Sequence, residues 1–476
     1  MREALRFYID GAWVEPAGNR RLDVVNPADA GICGHVALGE AADVERAVAA
    51  ARRAFASWSQ SLVARRLALF DAVIAEFRRR SADLEAAVTE EMGAPAWLAS
   101  AAQVPLGIAH LQVAREALAD FSFARQEGPT RIQLEPIGVC AFITPWNWPI
   151  SLILSKVAPA LAMGCTLILK PSEVAPFTGQ IIAEICDAAG VPAGVFNLVQ
   201  GDGVGVGSAL SAHPDIDMVS FTGSTRAGIE VARAAAGTVK RVHQELGGKS
   251  ANIILPSADL RAAVAAGVDA MMANSGQSCN APSRMLVPAG RMAEAVEAAR
   301  AAALEQTVGT PGSGARLGPV ASETQFRKIQ DLIEAGIAEG ATLVAGGPGR
   351  PEGLEQGYYV KPTVFADAHN GMTIAREEIF GPVLTILGYS DVEEAVAIAN
   401  DTPYGLAAYV QGELSEARSV ASRMRAGHVY VNYPDIDMNA PFGGFKQSGN
   451  GREWGAHAFT EFAEIRAIMG YEPAAA

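Results

Sequence analysis

"IGVCAFITPWNWPISLILSKVAPALAMGCTLILKPSE", residues 137–173, holds two short apolar runs on either side of a longer apolar stretch. From Pro149 to Lys170 the chain is apolar for about the length of a membrane span. Lys156, Pro159 and Gly164 interrupt it, and its last part is strand-like. The segment therefore reads as strand, buried helix, buried strand. Downstream, "GVFNLV" and "DMVSFTG" repeat the strand pattern, separated by helical patterns such as "TGQIIAEICDAAG", which stops at Gly190 and Pro192. Strands alternating with helices imply a parallel sheet covered on both faces, with ligands at the carboxyl ends of its strands.

Upstream, the first 120 residues read as mainly helical after a short opening hairpin. Leu67, Phe70, Ile74 and Phe77 fall at spacings of three and four, on one helix face. A second alternating block runs from about Ser250 to Gly427, with "ANIIL", "RMLVP", "TLVAGG", "YYVKPTVF" and "VLTILGY" as strands. The chain has 476 residues, more than the roughly 250 to 300 over which one core keeps growing, so packed domains with a cleft between them are expected.

The net charge of −14 argues against nucleic acid or anionic membrane as a partner. Five dispersed cysteines with no C-x-x-C pair make neither a disulfide framework nor a zinc site. "MREALRFYIDGAWVEP" lacks an apolar core of signal-peptide length, which makes the cytoplasm the expected location.

Several strand ends carry chemistry-bearing residues. "FITPWNWP" holds Asn147 between two tryptophans and two prolines, a stiff presentation of an amide that can donate to an oxyanion. "LILKPSE" sets Lys170 and Glu173 where a lysine and a carboxylate can grip ribose hydroxyls, and the carboxylate repels a 2′-phosphate. In "FTGSTRAG", Gly223 and Gly228 bracket a passage from strand to helix whose backbone N–H groups can approach a pyrophosphate. "GDGVGVG" fits G-x-G-x-x-G in no register and reads as a turn. "VHQELGGKS" places Glu245 before two glycines, where a sharp turn would leave the carboxylate facing a cavity as a general base. His243 alternates onto the same face, but nothing else recruits it and it reads as structural. "GQSCNAPSR" offers Cys279 as a nucleophile with no histidine beside it, active where the site lowers the thiol pKa.

Taken in order, "PWNWP", "LKPSE", "FTGSTRAG", "ELGGKS", "GQSCNAPSR", "EEIFGP" and "PFGGFKQSGNGRE" resemble the NAD(P)-dependent aldehyde dehydrogenase superfamily, of the type that does not acylate coenzyme A. The resemblance spans essentially the whole chain. It implies an α/β fold: a Rossmann-like cofactor domain over 1–117 and 137–247, a catalytic α/β domain over 248–440, and a small β oligomerisation element with the C-terminal tail, 118–136 and 441–476. It implies Cys279 as nucleophile, Glu245 as general base and Asn147 as oxyanion donor, with Lys170 also in the functional set. Thr144, Pro145, Trp146, Lys170, Ser172, Glu173, Gly203, Gly223, Ser224, Gly228, Leu246, Glu378 and Phe380 are the implied cofactor contacts. The implied cofactor is NAD, with NADP the alternative if Glu173 swings aside; no metal is implied.

The implied reaction is oxidation of an aldehyde to the carboxylic acid through a thiohemiacetal and a thioester, in a homodimer or homotetramer. What activates Cys279 for the first attack stays open between Glu245 acting through a water and the field of the bound nicotinamide. Residues 434–439 carry Asp435 and Asp437 but no arginine or lysine, which leans toward an apolar aliphatic or aromatic aldehyde over one with a distal carboxylate. Gln103, His110 and Leu111 are further candidates for the substrate wall. A non-catalytic binding or structural protein that retained the fold is the rival from another class, and a cysteine hydrolase would want a histidine partner that no motif supplies.

Overall fold

The computed structural model of the chain describes residues 1–472, so residues 473–476 of the expected tail lie outside the described residues. The segment 137–173 forms the strand Val139–Ile143, the helix Pro149–Met163 and the strand Thr166–Lys170. Proline at the start of the helix supplies a preset φ where no N–H partner is needed. Gly164 at its end takes φ +92, which a side chain would strain. Burial on all sides explains the lack of a polar face, and no helix among the described residues is long and apolar enough to cross a membrane.

These two strands lie at the centre of an eight-stranded sheet. Its five middle strands, Arg241–Glu245, Met218–Thr222, Val139–Ile143, Thr166–Lys170 and Phe196–Leu198, run parallel in that spatial order. The opening hairpin, Phe7–Ile9 and Ala12–Val14, adds an antiparallel edge. At the other edge Gly449–Asn450 pairs antiparallel with Arg241–Glu245, so part of the segment expected in the oligomerisation element instead closes this sheet.

The amino-terminal region is mainly helical, with more strands before its first helix than the one opening hairpin. Arg2–Ala4, Gly31–Ala37 and Arg21–Asn26 form a three-stranded sheet before the first helix, Ala41–Trp58. Much of Arg21–Asn26 is exposed, which blurs the alternation that marks a half-buried strand.

A seven-stranded sheet is ordered Thr342–Ala345, Thr363–Ala368, Val383–Tyr389, Arg284–Pro288, Ala251–Ile254, Ala407–Gln411 and His428–Val431, parallel except for the first. "YYVKPTVF" is a strand only from Thr363. A separate antiparallel sheet joins Ala124–Glu127, Thr130–Pro136 and Ala463–Ile468, and residues 118–120 belong to the preceding helix, Val104–Asp120.

Two buried cations tie distant segments together. Lys156 pairs with Glu453, whose other oxygen accepts from Ser155 Oγ at 2.9 Å. Arg284 donates to the carbonyls of Lys249, Ile398 and Ala399 at 2.8–3.0 Å. Five donors in a planar fork suit a guanidinium to carbonyls converging from several directions.

Candidate active site

The carboxyl ends of the parallel strands in the large sheet face the loop that carries Cys279, and between them lies a cavity of about 210 Å³. Pro145, Trp146, Asn147, Gly223, Ser224, Glu245, Leu246, Cys279, Glu378 and Phe380 line it. Ten residues read from motifs across the chain thus converge on one space.

Asn147 is held from three directions. Its carbonyl accepts from Gln103 Nε2 at 3.2 Å and Asn274 Nδ2 at 2.9 Å, and its own Nδ2 donates to Gln277 O at 3.0 Å. An amide nitrogen has two hydrogens, so the second remains available to a ligand. Trp148 Nε1 donates to Ser278 Oγ at 2.9 Å, a further tie between this loop and the cysteine loop. Asn274, Ser275 and Gly276 take φ values of 53, 54 and 71 in succession, a left-handed run unusual for two non-glycine residues. Ser275 Oγ donating to Gly318 O at 2.9 Å, and the Asn274 amide, hold the run in place.

The two glycines after Glu245 act by close approach rather than by a positive-φ turn. A Cβ at Gly248 would lie 2.4 Å from Cys279 O, and one at Gly247 would lie 2.5 Å from a Glu378 carboxylate oxygen. Gly248 N donates to Glu378 Oε1 at 2.8 Å, which fixes that carboxylate at the cavity wall. Phe380 takes φ +60 and meets Trp146 edge to face, with centroids 5.5 Å apart.

Electrostatically the site runs opposite to one expectation. Burial, followed by the charges of Glu245 and Glu378, pushes the Cys279 thiol far above its usual range, although the backbone N–H groups of Asn280 and Cys279 oppose this. Glu245 is likewise raised well above an ordinary carboxylate by burial and by Glu453, against the opposing pull of Lys156 and Arg452. Among the described residues, neither Glu245 oxygen has a hydrogen-bond partner.

Lys170 and Glu173 stand outside the cavity lining, at the end of Thr166–Lys170, where they pair at 2.9 Å with Lys170 buried and Glu173 partly exposed. Thr144 N donates to Lys170 O at 3.1 Å, and Ser172 Oγ accepts from Val174 N at 3.2 Å. Ser224 caps the helix Thr225–Ala235 by accepting from Ala227 N. Gly228, inside that helix, lies under Leu246, where a Cβ would come within 2.6 Å of its side chain. "GDGVGVG" is not a simple turn: Gly203–Gly207 is a wide helical turn capped by Asp202, with Gly203 in open surroundings outside the cavity.

Of the residues proposed for the substrate wall, Gln103 supports Asn147, His110 bonds Ser151 Oγ at 2.9 Å, and Leu111 is core; none lines the cavity. Leu152, Thr222, Gln325 and Lys328 also line it, none of them a candidate from sequence, as does Gly247, the first of the two glycines after Glu245. Gln325 and Lys328 sit one turn apart on the helix Glu323–Ala338, a spacing that carries no distinguishing signal in sequence.

The chain matches the family model described as aldehyde dehydrogenase family over residues 13–468. A 3-succinoylsemialdehyde-pyridine dehydrogenase from a Pseudomonas species is 55% identical over 475 residues, covering 99% of this chain and 100% of the relative. Among solved structures, a cysteine-to-alanine variant of Aldehyde Dehydrogenase C from Pseudomonas syringae, in complex with NAD+ and octanal, is 55% identical with a TM-score of 0.98, covering 99% of this chain and 98% of that one. An aldehyde dehydrogenase from Bartonella henselae is 45% identical with a TM-score of 0.96, covering 98% and 100% respectively. The expected α/β architecture, a Rossmann-like sheet beside a second α/β sheet and a small β element, is the architecture these proteins share with it. The chain belongs to the aldehyde dehydrogenase family.

Proposed function

We propose that this protein oxidises an aldehyde to the carboxylic acid with NAD+, using Cys279 as nucleophile and Glu245 as the base that activates water. The observation that carries the reading is the convergence of Cys279, Asn147 and Glu245 on one cavity between the two large sheets. The Cys279 sulfur, its proton first released to solvent, adds to the aldehyde carbon, and the oxygen takes up the charge facing the free Asn147 N–H and the Cys279 backbone N–H. A preorganised donor of this kind is worth about 10²–10³ in rate. NAD+, when bound, would supply the hydride acceptor, leaving the acyl carbon on Cys279 at the thioester level. Glu245 takes a proton from water, whose oxygen attacks the thioester carbon; the carbon–sulfur bond breaks and the acid leaves.

The residues present fit NAD. Thr144 Oγ1 and Thr222 Oγ1 are buried without hydrogen-bond partners, and the Lys170–Glu173 pair sits at a strand end where a ribose can be gripped. Ser172, Gly203, Gly223, Ser224, Gly228, Leu246, Glu378 and Phe380 complete the proposed cofactor set. The complex of the 55% identical Aldehyde Dehydrogenase C with NAD+ and octanal supports the same reading. Because Glu173 repels a 2′-phosphate, kcat/KM with NAD+ should exceed that with NADP+ by about tenfold or more, and Glu173→Gln should narrow the gap. A wild-type preference for NADP+ would remove this role from Glu173.

For the aldehyde, the segment 434–441 favours a neutral, apolar substrate. A second cavity, of about 310 Å³, lies between His428–Val431 and the 434–441 segment; Tyr430, Ile436 and Trp454 line it with Asp435 and Asp437, and it includes no lysine or arginine. Tyr409 and Tyr430 stack 4.7 Å apart, and Tyr409 OH donates to Asn280 O at 3.0 Å beside Cys279. The pyridine-bearing substrate named for the Pseudomonas relative and the octanal of the solved complex are both free of a distal carboxylate. Following NADH absorbance with matched neutral and ω-carboxylated aldehydes should give the higher kcat/KM for the neutral member. Preference for the carboxylated one would refute the substrate class, and no NADH with any aldehyde in folded, NAD-binding protein would favour the non-catalytic alternative.

We also assign residues 1–117 and 137–247 to the cofactor domain and 248–440 to the catalytic domain. Homodimer or homotetramer formation would use the small sheet of 118–136 and the tail, where Ile465, Met469 and Tyr471 are exposed. Five free cysteines suit a cytoplasmic location.

A further inference from the structure

His243, read from sequence as structural, lies on the same strand and the same face as Glu245, and both side chains are fully enclosed. Its Nε2 is 3.7 Å from Glu245 Oε1, just beyond hydrogen-bond reach, and neither atom has any other hydrogen-bond partner. On the far side of the ring, Nδ1 is 2.8 Å from Ser220 Oγ. That contact is the one hydrogen bond Ser220 Oγ makes among the described residues. A buried hydroxyl gives up its proton to an available acceptor. With Ser220 as the donor to Nδ1, the neutral ring carries its own proton on Nε2, the nitrogen beside Glu245; Glu453 Oε1 lies farther from Nδ1, at 3.9 Å.

We propose that His243 is a positioning residue for thioester hydrolysis: Ser220 sets its tautomer, and its Nε2–H holds the Glu245 carboxylate in the form and orientation that accept a proton from water. The proposal rests on the reading of Glu245 as base and adds the residue through which that base is kept competent. A shift of Glu245 by about half an ångström to one ångström brings the pair to ordinary hydrogen-bond distance. The other charged groups that face Glu245 are Glu453 and Glu461, which favour its protonated form, and Lys156 on the central helix and Arg452, which favour the carboxylate. Across the cavity, Cys279 feels the same carboxylate. Among these groups His243 is the one with an unused donor next to a Glu245 oxygen. Burial and Lys156 hold the imidazole pKa down to about 4, so it acts as a neutral donor.

The test follows two events in the holoenzyme: the NADH burst by stopped flow, and decay of the acyl-enzyme thioester by rapid quench across pH. A donor to the charged form is worth about one unit of carboxylate pKa. In His243→Leu the burst should keep its amplitude and its rate within about twofold, while thioester decay at neutral pH slows about tenfold and its acid limb moves up by about one pH unit. Ser220→Ala, which releases the tautomer, should shift the limb in the same direction by less, and His243→Gln, which keeps an N–H donor, should recover most of the wild-type profile. A purely structural role would lower burst amplitude and thermal stability without moving the acid limb.

An unmoved acid limb in His243→Leu with an intact burst overturns the proposal, and should that variant not fold, an unmoved limb in Ser220→Ala does the same. Glu245→Gln run in parallel separates the two ideas. If that variant stalls after the burst and His243→Leu behaves as wild type, only the role of His243 fails. If Glu245→Gln turns over normally, the reading of Glu245 fails and that of His243 with it.

Discussion

Cys279→Ala should abolish aldehyde oxidation, lowering kcat/KM by about 10⁴-fold or more, while NAD+ affinity measured by calorimetry should stay within about twofold. The size follows from removing the atom that carries the acyl group; loss of a covalent nucleophile elsewhere costs up to about 10⁶ in rate. The other lining residues with hydroxyl groups, Thr222 and Ser224, lie on the opposite wall with the sheet that bears Glu245, and a hydroxyl is a far weaker nucleophile near neutral pH than a thiol. Cofactor affinity should be spared because Lys170 and Glu173, the pair proposed to grip the ribose, lie at the end of a different strand. Substantial turnover remaining in the alanine variant would exclude a thioester route. The raised thiol pKa adds a pH signature to the wild type: the burst rate should climb with pH, since burial and the charges of Glu245 and Glu378 keep the sulfur protonated until base or bound cofactor relieves it.

Glu245→Gln separates the two halves of the reaction. The variant should release about one equivalent of NADH per active site and then stall, with steady turnover reduced about 10²–10⁴-fold, the range for loss of a general base. Intact-mass measurement should then find the acyl group on the protein. The pH dependence of the wild type follows from the same carboxyl. Its pKa is raised, so it is protonated and idle at low pH, and hydrolysis gains as pH rises through that pKa. The variant should lose this acid limb. If the burst disappears together with turnover, Glu245 acts in the first attack on the aldehyde as well, the route by which it would relieve the Cys279 thiol.

Much of this was legible before any coordinates. The strand–helix–strand unit at 137–173 is unambiguous because prolines, a lysine and a glycine break an apolar run at places that suit a buried helix and strand but not a membrane span. The motifs and the family resemblance they carry named ten of the residues that line the cavity. Two kinds of feature stayed hidden. Strands such as Ala407–Gln411 and His428–Val431 are short, and an alanine-rich chain weakens the contrast between strand and helix patterns. The ionisation of Cys279 is a sum over neighbours far apart in sequence, here burial and the carboxylates of Glu245 and Glu378, so its direction is not readable from the local motif. The glycines at 247 and 248 were correctly seen as necessary for the wrong reason. They admit Glu378 and the Cys279 carbonyl at distances no side chain allows, a requirement set by tertiary contact rather than by local backbone angles.

The hydrogen bonds from Asn147, Trp148 and Asn274 join the loop of one sheet to the cysteine loop of the other. Their geometry has a dynamic consequence. A hinge opening between the two sheets would have to break all three together and release the left-handed run at Asn274–Gly276, whereas a rotation of Phe380 or Glu378 would break none of the three. Exchange of cofactor and product should therefore proceed by gating through individual side chains, with the nucleophile and its oxyanion donor moving as a single rigid body throughout the cycle.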